Sequence, residues 1–280
     1  GNISTPILNR AMMRIVVRQT MSLVTMFDAA PIRRGRPMLM TDPGVTTVLN
    51  YGRMVGLIEN AVDVAHSIMG IRRPRVAVLS ANEKIIESIP STTMGKALTD
   101  HVWDGAVVYG PLSFDLAVSD ESVRLKGLPG SRAAREVCGQ ADILVSPSID
   151  AANILYKVIG EIVKFGLGTF AGVAVGVAVP YVILSRGDNV ETKLHSIALG
   201  SIAGERMDMA PRRAAPRRGP APRATADGPE PSAALLGALS AARTAAGKMR
   251  VPPPRANYVV AYVSAAAREV TVAALRHARI

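Results

Sequence analysis

The chain has 280 residues, 49% of them hydrophobic, which is enough for packed cores in about two domains of roughly 150 residues each. One cysteine, Cys138, excludes a disulfide framework and any multi-cysteine metal site and fits a reducing compartment; the four histidines (His66, His101, His195, His277) show no paired spacing, so no metal is expected. The net charge of +11 invites a nucleic-acid reading, but aromatics are only 4% and the charge is uneven: residues 211–280 carry 12 basic and 3 acidic side chains, residues 1–210 carry 21 and 19.

Residues 2–14 read as the middle of a helix with no methionine or signal peptide before them, so the chain looks cut at its N-terminus. Strands are predicted at 22–27, 38–41, 76–80, 106–109, 143–146, 170–175 and 181–184. Helices are predicted at 51–69, 92–101, 116–126, 151–165 and 189–206. The first of these helices places Met54, Leu57, Ile58, Ala61, Val62, Ala65 and Ile68 on one face. Residues Ser91-Thr92-Thr93 after Pro90 suit a helix start, and Cys138 is expected in an amphipathic helix with no histidine beside it, which argues against a nucleophile. The uncharged run 165–185 is long enough to test as a membrane span, but four glycines and Pro180 interrupt it. Two buried strands joined by a Gly/Pro turn explain it better, so no membrane partner is expected.

Strand–helix alternation over 1–210 indicates an α/β fold with a largely parallel sheet. Ligands in such folds bind beyond the carboxyl ends of strands, which here points to the loops after Ser80, Tyr109, Ser146 and Leu184. Composition changes at Pro211, where PRRAAPRRGPAPRATADGPEP begins. Residues 211–280 are therefore expected to be a basic Pro/Arg/Ala-rich tail, mostly disordered over 211–256 with a short helix over 233–246. A shifted reading frame and a linker to a lost domain both account for it. Without interleaved aromatics or a known module, it does not read as a nucleic-acid arm.

The loop after Leu184 reads Ser185-Arg186-Gly187-Asp188-Asn189. Arg186 offers a planar fork of donors for a phosphate or an oxyanion, Ser185 a hydroxyl, and Gly187 close backbone approach at a helix start that favours anions. Asp188 and Glu191 fit a capping box and would then only close that helix start. In the loop after Ser146, Asn153, Tyr156 and Lys157 lie at i, i+3 and i+4 and share a helix face. They either hold a phosphate or a carbonyl, or Asp150 caps the helix and Lys157 is simply solvated. Asp115, after Tyr109, orients a catalytic group or, more commonly for such a residue, caps the next helix. No P-loop and no G-x-G-x-x-G after a strand is present.

At these loops the chain resembles the phosphate acetyltransferase/phosphate butyryltransferase family. The stretches that carry the likeness are VAVLSANEK at 76–84, YGPLSFDLAVS at 109–119, ADILVSPSIDAANILYK at 141–157 and ILSRGDNVETKLHSIAL at 183–199. The resemblance implies an isocitrate/isopropylmalate-dehydrogenase-like fold of two subdomains flanking a cleft, N-terminally incomplete here, over residues 1–210. It also implies the exchange of CoA and phosphate on a short-chain acyl group, with acyl-CoA and phosphate as partners. CoA would be a substrate, no cofactor would be tightly bound, and the protein would be a cytoplasmic homodimer. In the acetyltransferase branch the serine and arginine of the S-R-G loop are active-site residues, matched here by Ser185 and Arg186. An aspartate proposed there as the base for the thiol is matched by Thr192, in an E-T-K sequence like that of the butyryltransferase branch. Ala152 stands where the family usually has glycine. The other reading kept open is an inactive, truncated acyltransferase-like domain that binds an acidic partner through its basic tail.

Overall fold

The computed structural model describes residues 5–127, 130–185 and 187–208. The tail features expected over 211–280 lie outside the described residues, as does Arg186. Helix α1 (Thr5–Met12) is followed by the strands β1 (Ser22–Phe27) and β2 (Met38–Thr41) and the helix α2 (Tyr51–Ser67). Then come β3 (Arg75–Leu79), α3 (Pro90–Thr99), β4 (Val107–Leu112), α4 (Phe114–Val118), α5 (Asp120–Lys126) and α6 (Arg132–Val137). The described chain closes with β5 (Ile143–Val145), α7 (Ile149–Lys164), β6 (Phe170–Val175) and α8 (Val190–Arg206).

The six strands form one sheet in the order β4-β3-β5-β2-β1-β6. The strands β4, β3, β5 and β2 pair in parallel, whereas β1 runs antiparallel to both its neighbours, with Val24 opposite Thr41 and Thr25 opposite Gly172. The sheet is therefore mixed and mostly parallel, as the alternation of elements predicts.

Period-two alternation sends neighbouring side chains to opposite faces. On one face Leu39, Val76, Val78, Ile143, Val145 and Val173 pack with Leu57, Ile58 and Ala61 of α2, Leu98 of α3 and Leu199 of α8. On the other, Met38, Met40, Ala77, Leu79 and Leu144 pack with Leu116 of α4, Val137 of α6 and Ile159 and Val163 of α7. Helices thus cover both faces of the sheet, which is why its strands read as continuous apolar runs rather than alternating ones.

Three expectations are corrected. Residues 181–184 form no strand. Tyr181 alone pairs back with Ala174, and its hydroxyl donates to Asn9 Oδ1 (3.2 Å), while Ile183 packs on the small cluster of Met12, Met21 and Val177. A buried extended segment needs the same apolar residues as a strand, so the pattern cannot separate them. The turn before it does depend on glycine: Gly176 has φ +86°, and a Cβ there would meet the Thr20 carbonyl oxygen at 2.3 Å. Second, the helix expected at 116–126 is two helices. Ser119 leaves the helical region (φ −122°, ψ 114°), and its side chain accepts from the Ser122 N–H to restart the chain as α5. Third, Cys138 is not inside a helix but ends α6, and burial pushes its thiol up to about 11. It stays protonated near neutrality, in keeping with the expectation that it is no nucleophile.

At the exit of β2, the buried Asp42 carboxylate accepts from the N–H groups of Leu23 (3.2 Å), Gly44 (3.1 Å), Val45 (3.0 Å) and Thr46 (2.8 Å). Burial outweighs these bonds and raises its pKa. The turn they fix presents the Pro43 carbonyl oxygen to α7.

Candidate functional site

The caps on either side of the site differ from those expected. Ser148, not Asp150, caps α7 by accepting from the Ala151 N–H (3.2 Å). Asn189, not Asp188, caps α8 by accepting from the Thr192 N–H (2.8 Å). This frees Asp188 to fold back, where Oδ2 accepts from the Ser185 N–H (2.7 Å). The loop closes further through the Asp188 N–H to the Ser185 carbonyl (3.1 Å) and the Gly187 N–H to Ser185 Oγ (3.3 Å).

Helix α7 supplies the facing wall. Lys157 Nζ donates to Ser185 Oγ (3.0 Å) and lies 5.0 Å from the centre of the Tyr156 ring. The Tyr156 ring packs on Phe170 at 4.6 Å, and its hydroxyl reaches Asp188 Oδ1 at 3.5 Å. Burial first, then the Asp188 carboxylate, pushes the Tyr156 phenol well above its ordinary range. Burial likewise raises Asp188, against the lowering pull of the Ser185 N–H and of Lys157 and Lys193.

Between the two walls lies an open cavity of about 130 Å³. Tyr156, Lys157, Ser185, Gly187, Asp188 and Thr192 line it, so the structure brings together five of the eight residues singled out in the sequence, with Asp188 added. The pattern reading missed Gly160, Glu161, Lys164 and Phe170 of the same lining. Positions 160, 161 and 164 continue the Tyr156/Lys157 face at helical spacing, a signal available but followed for only one turn. Lys164 is held by Glu161 at 2.6 Å.

Two expected members stand elsewhere. Asn153 shares α7 but donates through Nδ2 to the Pro43 carbonyl (2.9 Å), tying the start of the helix to the Asp42 turn. Asp115 neither lines the cavity nor caps a helix; it pairs with Lys126 (2.8 Å), which lowers its pKa. Ser113 and Glu83 bond beside that pair.

The cavity also departs from the expected position. Tyr156 lies seven residues past the start of α7, about 10 Å along the axis, and Phe170 pairs with Phe27 at the entry ends of the parallel strands. The cavity flanks the β6 side of the sheet instead of opening beyond its carboxyl ends. Ser185 Oγ there accepts from Lys157 and Gly187 and keeps its own hydrogen to donate. An ammonium and a hydroxyl facing one small cavity suit an oxyanion. Among the described residues no three His, Cys, Asp or Glu side chains gather to hold a metal ion, and no helix is long and apolar enough to cross a membrane.

Known proteins give this geometry its context. The chain is 36% identical over 189 residues to a phosphate butyryltransferase of Clostridium acetobutylicum, covering 66% of this chain and 59% of the relative. It is 35% identical over 189 residues to a phosphate acetyltransferase of Thermotoga maritima, covering 66% and 60%. The chain thus spans about three fifths of the length of these curated relatives. Among solved structures, a branched-chain phosphotransacylase from Enterococcus faecalis superposes with a TM-score of 0.63 at 33% identity, over 74% of this chain and 72% of that one. Residues 3–201 match the family described as phosphate acetyl/butaryl transferase, and the chain belongs to that family.

Proposed function

We propose that the protein is an acyltransferase that exchanges CoA and phosphate on a short-chain acyl group: acyl-CoA and phosphate give acyl phosphate and CoA. Family membership supports the reaction class. The observation that carries the site is Lys157 Nζ and the Gly187 N–H converging on Ser185 Oγ at the mouth of one cavity. In this reading Lys157 holds phosphate, and Ser185 donates to the CoA sulfur or the acyl carbonyl. Arg186 binds phosphate and stabilises the tetrahedral oxyanion. Thr192 and Tyr156 shape the cavity, and Asp188 holds the loop through the Ser185 N–H.

A phosphate oxygen attacks the acyl carbonyl, the C–S bond breaks, and the thiolate leaves with a proton taken from solvent. No covalent enzyme intermediate is required, so positioning supplies much of the acceleration. Thr192 carries no carboxylate, so it is not the thiol base. The resemblance further supports an isocitrate/isopropylmalate-dehydrogenase-like arrangement of two subdomains over residues 1–210, followed by a separate tail. It also supports a cytoplasmic homodimer with no tightly bound cofactor. A second copy would cover Ile154, Val158 and Phe165 of the α7 region, all exposed.

The test is thiol release from acetyl-, propionyl- and butyryl-CoA with and without phosphate, with acyl phosphate trapped as hydroxamate. Phosphate-dependent release that falls about 100- to 1,000-fold in Arg186→Ala is expected, the usual loss for an oxyanion donor. Release independent of phosphate refutes the reaction, and unchanged turnover and phosphate KM in the variant removes Arg186 from it.

A further inference from the structure

A second, larger cavity of about 530 Å³ lies at the entry ends of β2 and β5 and shares no lining residue with the cavity on α7. Its wall is arginine-rich: Arg33, Arg34 and Arg36 come from the connection between β1 and β2, and Arg124 comes from α5. Asp120 and Glu121 also line it, so four positive charges face two negative ones.

The arginine turn is built, not incidental. Arg33, Arg34 and Gly35 have φ of 49°, 55° and 71°, a left-handed run that two arginines do not adopt for their own benefit. Such backbone persists only where surrounding contacts hold it. Here the Arg33 guanidinium supplies the hold. It is 5% exposed, donates to Gln140 Oε1 (3.1 Å) and the Ala141 carbonyl, and lies 3.6 Å from Asp142. Gln140 in turn donates to Asp120 (2.6 Å), which ties the α5 wall to the same anchor. With Arg33 committed, Arg34, Arg36 and Arg124 are left on the lining, and among the described residues none of their side chains makes a hydrogen bond or ion pair.

Three unengaged planar donors around a polar cavity match phosphoryl groups better than carboxylates, because a terminal phosphoryl group offers three oxygens to several guanidiniums at once and a carboxylate only two. With Arg33 paired to Asp142, three arginines still outnumber Asp120 and Glu121 on the lining, which favours an anion, and the volume falls in the range of roughly 300–1,000 Å³ of small-molecule sites. We propose that this cavity binds the diphosphate group of a small molecule through Arg34, Arg36 and Arg124.

Titration calorimetry of the full chain with ADP, inorganic pyrophosphate and adenosine tests it. ADP or pyrophosphate should bind and adenosine should not. ADP binding more tightly than pyrophosphate identifies the source as a nucleotide; the reverse identifies an inorganic polyphosphate. Affinity should drop at least tenfold in Arg34→Ala/Arg36→Ala and again in Arg124→Ala, which alters a different element, with the melting temperature of each variant unchanged. In Lys157→Ala the affinity should persist. Adenosine binding as well as ADP, no heat from either diphosphate, unchanged affinity in folded arginine variants, or loss in Lys157→Ala each overturns the proposal.

Discussion

Replacing Lys157 by alanine is the sharpest probe of the cavity on α7. The ammonium sits 3.0 Å from Ser185 Oγ at an exposed position. A unit charge about 4 Å from a phosphate oxygen contributes about 4 kcal/mol at a surface-like dielectric. Exposure, salt and the cost of ordering a long side chain reduce that to about 1.5–3 kcal/mol, the usual net worth of a charge-assisted hydrogen bond. The expected loss in kcat/KM for phosphate is therefore about 10- to 150-fold, carried mainly by KM if Lys157 binds phosphate equally in the ground and transition states. Folding stability should shift by no more than about 0.5 kcal/mol, because the side chain is exposed. The assay is phosphate-dependent thiol release across a phosphate series at two ionic strengths. The wild-type advantage should narrow at the higher one. An unchanged phosphate KM in a variant that melts like wild type refutes the anion role of this cavity.

Other substitutions test the packing, the electrostatics and the tail. Ile159→Ala empties a fully buried position between α7 and the sheet and should cost about 2–5 kcal/mol in urea unfolding, whereas Ile154→Ala, 66% exposed, should leave the monomer's stability unchanged and weaken any dimer seen by light scattering. Asp188 has its pKa raised in the folded chain, so its contribution is fully present below the ordinary value of 3.8 and is lost as pH rises through the folded value. Asp188→Asn should therefore gain on wild type in urea midpoint as pH climbs from about 4 towards neutrality, and a pH-independent difference refutes the shift. Deleting 211–280 should leave acyl phosphate formation intact; salt-sensitive binding to an acidic partner that vanishes with the tail, in a chain without activity, would favour the binding-module reading.

Where the sequence is locally decisive, structure and expectation coincide. The strands at 22–27, 38–41 and 170–175 keep their predicted bounds because apolar runs there meet clear turn residues on both sides. The apolar face of α2 is buried as its spacing requires, with Ile68 partly so just past its end. Capping was less legible, since neighbouring polar residues compete: Asp188 and Asn189 are both good caps, and a one-residue choice decides whether the Asp188 carboxylate is free to reach Ser185. Asp115 shows how such small breaks propagate. In an unbroken helix it would stand 11 residues, about 16 Å, from Lys126, but the break at Ser119 folds the two into an ion pair. The α7 cavity itself depends on residues 182–185 leaving the sheet, a long-range outcome that no local pattern records.

The turn at Asp42 bears on how tolerance to change should be interpreted in this chain. Its carboxylate gathers four main-chain N–H groups, and an asparagine would aim an NH₂ at donors that need an acceptor. Leaving such buried groups unanswered costs about 1–3 kcal/mol each. A saturation screen scored on growth would rank position 42 beside Lys157 and Ser185, although Asp42 is buried in its turn and lines neither cavity. Scored instead on the amount of folded protein, the same library would separate the scaffold from the chemistry.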